Sequence, residues 1–377
     1  MNVDVFITKT AAFLPLAPVS NDEIENVLGM VGGKPSRARR IVLRSNGIQS
    51  RHYAIDPQTG KIVYTNAKLT SMAIQGLQLV GDVDCLVTGT SIADQIMPNH
   101  GVMVHGELGW GPLQVISTTG ICLSGITALK YAWLSVKAGD SQRAVATGSE
   151  LASPMLLAKH FAAESEHQVR ELNQRPEISF EKEFLRWMLS DGAGAMLLEP
   201  TPSAPLSLRV DWIELSSAAH ELPVCMYAGA EKNDDQSLTG WLHYPADAWG
   251  EKSIFAIKQD VRLLDQHIAN ATFVVPLKRI ITKYNLKANA IDWFLPHMSS
   301  LYFAATMEAS LTEMGLPIPR ARWFFNLEQK GNTGSASPYI MLDELFRSGR
   351  IKKGQKLLMF IPESGRFSSG FVYMEAV

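Results

Sequence analysis

Residues 117–150 read STTGICLSGITALKYAWLSVKAGDSQRAVATGSE, and this stretch decides the fold. A Thr-Thr-Gly turn leads into Cys122, and from there to about residue 137 the chain is apolar on nearly every helical face. Such a helix is expected to be buried on all sides. Ser124, Gly125 and Ala128 interrupt its bulky residues, and Gly125 permits another backbone to approach closely. The run Arg143–Gly148 then reads as a strand, so a buried helix feeds an apolar strand.

The same alternation extends outward in both directions and argues for an α/β architecture. Strands are expected at Cys85–Thr88, Arg143–Gly148, Gly194–Glu199, Ser207–Ile213, Trp293–Pro296, Lys356–Ile361 and Gly370–Glu375. Helices are expected near 94–107, 122–137, 254–284, 301–314 and 335–347. The apolar residues 11–19 read as a first strand and its turn rather than a signal peptide, because Asp4 precedes them and no basic segment does. DCLVTGTS (84–91) is similar to DWFLPHMS (292–299), and SDGAGAMLLE (190–199) to SSGFVYMEAV (368–377). These pairs suggest two related halves, 1–200 and 201–377. Residues 156–189 and 216–253 look like insertions. They read as solvated surface, which their composition favours, or as caps over a site or at a subunit contact.

Composition narrows the function. The chain has 377 residues, 46% of them hydrophobic, with 35 Lys+Arg against 37 Asp+Glu and a net charge of -2. An intrinsically disordered chain and a globally basic nucleic-acid binder are both disfavoured. Three cysteines, Cys85, Cys122 and Cys225, are too few for a disulfide framework or a thiolate-rich metal site, which points to a reducing, cytoplasmic setting. No apolar run approaches the roughly 18–20 residues that span a bilayer. HExxH, paired CxxC, P-loop and GxGxxG patterns are missing from the sequence, so no metal or redox cofactor is expected.

Cys122 at a helix start is expected to feel the positive helix terminus, which lowers a thiol pKa and supplies oxyanion donors. The alternative is a buried structural thiol. A nucleophilic Cys needs a proton partner. His297, in DWFLPHMSS, sits between a strand end and a helix mouth, and Asn332, in KGNTGSAS, sits in a Gly-rich turn. A polar turn residue and a helix cap are their plainer alternatives. His52, His100, His105, His160 and His167 are rivals that lack this placement.

Taken together, NGIQSRHYAI (46–55), TTGICLSG (118–125), AVATGSE (144–150), SDGAGAMLLE (190–199), DWFLPHMSSL (292–301), GNTGSAS (331–337) and ESGRFSSG (363–370) resemble the β-ketoacyl-acyl carrier protein synthase III family. The likeness runs nearly the full length, with Cys122, His297 and Asn332 at compatible spacing. It implies a thiolase-like α/β fold of two duplicated halves stacked in five layers, αβαβα, in a homodimer. It also implies a condensing acyltransferase with no bound cofactor, whose substrates arrive as phosphopantetheine thioesters on acyl carrier protein or coenzyme A. Cys122 would carry the acyl group, while His297 and Asn332 would stabilise the enolate. The backbone N–H groups of Cys122 and Gly365 would form the oxyanion hole. Asp191 and the glycines after it would shape a turn beneath the site.

The resemblance also separates relatives. Thiolases use a second Cys near the C-terminus, and 362–377 has none. Head-to-head acyl-condensing relatives carry a Glu base reaching across the dimer, where this chain has Met97, which would instead wall the acyl pocket. The Trp and Arg that sandwich coenzyme A adenine in the primer synthases correspond to Ile41 and Ser45, which disfavours an acetyl-coenzyme A starter. The segment from Lys34 to Arg51 holds six basic residues, Lys34, Arg37, Arg39, Arg40, Arg44 and Arg51, and no acid. It reads as a solvated loop or as a docking patch, Arg40 and Arg44 included, for phosphopantetheine and an acidic carrier protein. The N-terminal segment is most similar to the dialkylresorcinol- and cyclohexanedione-forming ketosynthases, which join acyl and β-ketoacyl chains. The alternatives are a fatty-acid-initiating synthase using malonyl carrier protein, a non-catalytic acyl-binding partner subunit, and a thioesterase-like hydrolase.

Overall fold

Nine strands form one mixed sheet in the computed structural model, which describes residues 3–36, 39–160 and 185–377. They are β1 (Phe6–Phe13), β2 (Cys85–Thr90), β3 (Gln114–Thr119), β4 (Ala144–Glu150), β5 (Gly192–Glu199), β6 (Leu208–Ser217), β7 (Trp293–Pro296), β8 (Lys356–Glu363) and β9 (Ser368–Ala376). Their order across the sheet is β7-β8-β9-β6-β1-β5-β4-β2-β3. The set β2-β4-β5-β1 and the set β7-β8-β9-β6 repeat one pattern, a parallel pair followed by two antiparallel pairs. The sequence pairs at 84–91 with 292–299 and 190–199 with 368–377 fall on β2 with β7 and on β5 with β9. Only Phe6–Arg209 and Ile7–Leu208 pair where the two sets meet. Residues 200–207 connect them in the chain.

Among the described residues the α-helices of eight residues or more are α1 (Arg39–Asn46), α2 (Asn66–Gly76), α3 (His100–Leu108), α4 (Ser124–Ala138), α5 (Val261–Ala269), α6 (Val275–Tyr284), α7 (Ala304–Glu313) and α8 (Ser337–Arg347). Three apolar cores show how they layer. Leu69 and Ile74 of α2 pack on Leu86, Val145 and Leu197. Ile126 and Leu129 of α4 and Leu342 of α8 lie between Val87 and Met196 of one set and Met359 and Val372 of the other. Leu277 of α6 and Leu311 of α7 pack on Phe294, Leu358 and Phe360. Neighbours such as Leu86 and Val87 serve opposite faces because strand side chains alternate. Strands covered on both faces read as continuous apolar runs, which is why most were legible.

The central helix confirms the close approach expected of Gly125. A Cβ on Gly125 or on Gly148 would run into the Ser335 carbonyl. The helix is not buried all round, however, for Leu134 is 46% exposed. The first strand also lies earlier than 11–19, because Pro15 and Pro18 cannot serve a ladder. Thr8 and Thr10 satisfy their hydroxyls within it on Glu199 and Asp343. TNAKLT (65–70) opens α2, a helix not expected from the sequence, where Thr65 caps Lys68 N at 3.1 Å. Asn99 caps α3 through Val102 N at 3.0 Å, so residues 94–98 stay outside that helix. The expected helix 254–284 begins only at Val261, capped by Asp260, and passes through a π-helical turn at Asn270–Val274. No helix among the described residues is long and apolar enough to cross a membrane.

Candidate active site

Cys122, His297 and Asn332 meet in one cavity of about 390 Å³. Each stands where an element ends. Cys122 lies in the turn between β3 and α4, His297 follows β7, and Asn332 precedes α8. The apolar wall comes from Leu185, Met188, Leu264, Ile268, Phe273 and Met307. The π-helical turn supplies Thr272 and Phe273 to this wall, a local irregularity common at functional sites. Met226, Tyr227 and Ala228 also line it, so this part of 216–253 caps the cavity rather than forming free surface. Of the segment 156–189, residues 161–184 lie outside the described residues, while Leu185, Met188 and Leu189 face the cavity.

The thiol environment departs from expectation. Glu363 Oε2 accepts the N–H groups of Ile121 and Leu123 at 2.8 and 3.0 Å, on either side of Cys122. A carboxylate therefore already occupies the terminus that was expected to acidify the thiol. The surface Cys122 exposes faces the cavity, and burial, with the charges of Glu363 and Glu150, pushes its thiol well above the ordinary range. Glu363→Gln should keep an acceptor oxygen but remove the charge. The thiol pKa should then fall, and alkylation of Cys122 by iodoacetamide at pH 8 should speed up roughly three- to tenfold. An unchanged rate would remove Glu363 from the electrostatics of this site.

His297 is held from two directions. Its N–H donates to the Phe360 carbonyl at 2.8 Å, and its Nδ1 lies 2.9 Å from Ser337 Oγ at the start of α8. Burial pushes its pKa down to about 4, so the ring is neutral near pH 7. A Ser337 hydroxyl donating to Nδ1 leaves the ring proton on Nε2. Asn332 is fixed by Gly334 N–H, which donates to its Oδ1 at 3.0 Å. That bond assigns Oδ1 to the turn and leaves Nδ2, the donor end, for the cavity. Backbone bonds from Asn332 N to Met188 O and from Ser190 N to Asn332 O anchor the turn at 2.9 and 2.8 Å.

Other expected site residues are not brought there. Met97 is 81% exposed and outside the cavity wall, because the loop before α3 projects from this chain's surface. Ser364, not Gly365, reaches the wall. The Gly365 carbonyl instead accepts from Cys225 N and Met226 N, and a Cβ at 365 would lie 2.9 Å from Ile121 Cδ1. Arg40 and Arg44 are exposed on α1, which abuts the Leu301–Phe303 turn, and Phe303 lines the cavity. The basic segment is thinner than its composition suggested. Arg39 pairs with Asp22 at 2.6 Å, and Arg51 is buried against Asn21 and the Trp187 carbonyl. Arg37 and His167 lie outside the described residues. His52, His100, His105 and His160 do not line the cavity, and His100 is a buried ring between Thr70 and Ser149.

One acid in the cavity wall went unread. Glu150 ends the motif AVATGSE, where it looks like the polar close of a strand, yet it is buried and faces the same cavity.

The chain is similar to proteins of known activity. Residues 281–373 match the family described as 3-oxoacyl-[acyl-carrier-protein] synthase III C terminal, a span that holds His297 and Asn332. The β-ketoacyl-[acyl-carrier-protein] synthase III of Xanthomonas oryzae pv. oryzae is 24% identical over 374 residues, covering 98% of this chain and 97% of its own. Among solved structures, AbyA1, a tetronic acid condensing enzyme, shares the fold at a TM-score of 0.75 and 20% identity, covering 98% of this chain and 99% of its own. Xanthomonas campestris OleA, solved with bound lauric acid and lauroyl-CoA, does so at 0.73 and 19% over the whole of both chains. The thiolase-like fold is therefore shared throughout, and the alignment with synthases III runs end to end. Residues 281–373 therefore carry the synthase III C-terminal match, and the chain as a whole is similar to β-ketoacyl-acyl carrier protein synthases III and shares its fold with condensing enzymes.

Proposed function

We propose that this condensing enzyme transfers an acyl chain to Cys122 and joins it to a β-ketoacyl thioester, in ring-forming secondary metabolism of the dialkylresorcinol or cyclohexanedione type. The observation that carries the reading is the convergence of a thiol, a neutral imidazole and an oriented amide donor on one apolar cavity. The Cys122 thiol, held protonated, gives up its proton as the acyl group arrives, and the departing carrier thiol takes it up. His297 Nε2–H and Asn332 Nδ2 then hold the carbonyl oxygen of the second thioester as its enolate forms. The enolate carbon attacks the acyl carbon on Cys122, and the C–S bond breaks. The Cys122 N–H, which lies between the two that Glu363 holds, would receive the intermediate oxyanion.

Carrier delivery is favoured over free coenzyme A. Ile41 and Ser45, at the adenine-sandwich positions, are both exposed on α1, beside exposed Arg40 and Arg44. A phosphopantetheine arm arriving there would pass the Leu301–Phe303 turn on its way to the cavity. We further read the chain as a homodimer, with the exposed apolar tip Ile96 and Met97, 75% and 81% exposed, covered by a second copy. Sedimentation should give twice the 41.5 kDa chain mass, and a monomer at working concentration would remove that part.

Intact-protein mass spectrometry of wild type and Cys122→Ala tests the main reading, with acyl and β-ketoacyl thioesters offered on both carriers. An acyl adduct on wild type alone is expected, followed by a cyclic diketone when the second thioester is added. A linear β-ketoacyl product would assign fatty-acid initiation instead. Absence of any adduct in folded protein would leave an acyl-binding partner subunit.

A further inference from the structure

Glu150 stands at the end of β4, buried, in the wall that also holds Cys122, His297 and Asn332. Its Oε2 accepts from Ser91 Oγ at 2.6 Å and from Ser335 N–H at 3.3 Å. Its Oε1 is buried with no hydrogen-bond partner. A buried carboxylate oxygen is costly to leave unbonded, and in a ligand cavity it marks a place where a donor is expected. Gly334, two residues beyond Asn332, lies directly against this carboxylate, and a Cβ there would collide with it. The glycine therefore lets the acid reach the turn that carries the enolate-binding amide.

We propose that Glu150 is the general base that removes the α-proton of the donor thioester, so that the enzyme condenses donors that carry no α-carboxylate. The inference rests on the condensation reading above and adds the source of the enolate. The α C–H bond breaks and an O–H bond forms at Oε1, while the electron pair moves into the enolate held by His297 and Asn332. The enolate carbon then bonds to the acyl carbon, the Cys122 C–S bond breaks, and the Glu150 proton passes to the departing thiolate. With a simple acyl donor the products are a β-ketoacyl thioester and the free Cys122 thiol, and with a β-ketoacyl donor the thioester carries a second acyl group at C2, with no oxidant or further reactant needed. The electrostatics suit the task. Burial, assisted by the charge of Asp191, pushes the Glu150 carboxyl up to about 7 against the hydrogen bonds from Ser91 and Ser335. A group near 7 both takes and returns a proton at neutral pH.

The test is deuterium uptake at C2 of octanoyl-coenzyme A in D₂O, read by mass spectrometry for the full chain and for Glu150→Gln and Glu150→Asp. Wild type should exchange, Glu150→Gln should fall about 100-fold, and Glu150→Asp should recover part of the rate. Condensation of octanoyl-coenzyme A onto the acylated enzyme should fall with exchange. Condensation of malonyl-coenzyme A, whose enolate comes from loss of CO₂, should fall far less. Equal losses with both donors, in protein that still acylates Cys122, would make Glu150 an anchor of the Ser335 turn and overturn the proposal. So would a wild type that shows no exchange. Failure of Cys122 to acylate would strike the condensation reading alone, because α-exchange needs no acyl group on the thiol.

Discussion

Asp191→Ala is expected to cost about 4 kcal/mol of folding stability, since three buried N–H groups and a hydroxyl lose their common acceptor. The Asp191 carboxylate accepts from Ala54 N at 2.7 Å, Ala152 N at 2.8 Å and Ser153 N at 2.9 Å, and also from Ser153 Oγ. These donors come from two separate parts of the chain, so a side chain just before β5 ties the loop after β4 to the segment near residue 54. Burial outweighs the hydrogen bonds and holds the carboxyl up at about 6. Its folded pKa thus lies above the unfolded value, and its ionisation takes stability away as pH rises from about 4 toward 6. The same residue supports the site, because its own N–H bonds His52 O while Ser190 N bonds Asn332 O. Asp191→Asn should cost nearly as much, for its amide hydrogens would face donors. Urea unfolding decides the matter, and a loss below about 1 kcal/mol would show that water replaces the carboxylate.

The second large effect concerns rate. His297→Ala and Asn332→Ala should each lower condensation about 100- to 1000-fold, the usual consequence of removing one oxyanion donor. Acyl loading of Cys122 should change far less, because neither donor touches the carbonyl being transferred to the thiol. The double variant should lose less than the product of the two, since both donors serve one oxygen. Single-turnover measurements that separate loading from condensation provide the check. Parallel loss of loading and condensation would move His297 or Asn332 to substrate positioning. Asn332→Asp should be more damaging than Asn332→Ala, because a carboxylate would repel the enolate.

Most strands were legible because the sheet is covered on both faces, so β2, β4, β5, β8 and β9 read as short apolar runs. β3 escaped notice because QVISTT is a partly exposed edge with little apolar signal. α2 escaped because Thr65, Asn66 and Lys68 carry equal weight as a turn and as a capped helix start. The cavity residues Cys122, His297 and Asn332 were legible because each sits in a short motif between an apolar run and a helix. Glu150 and Glu363 were not, since an acid closing a strand has the same appearance whether it meets water or a cavity.

What the sequence by itself determined is the alternation of buried strands and helices, the internal repeat and the three polar residues at element ends. Those are local patterns of apolar spacing and turn chemistry. Only the tertiary structure decided the electrostatics of the site. The thiol is raised rather than lowered because the fold buries it, with a carboxylate 241 residues further along the chain at the helix terminus beside it adding to the shift. Met97 faces outward and Ser364 inward because the loops carrying them are aimed by packing, not by their own composition. Charge and burial depend on what folds alongside a residue, and sequence spacing carries no record of that distance.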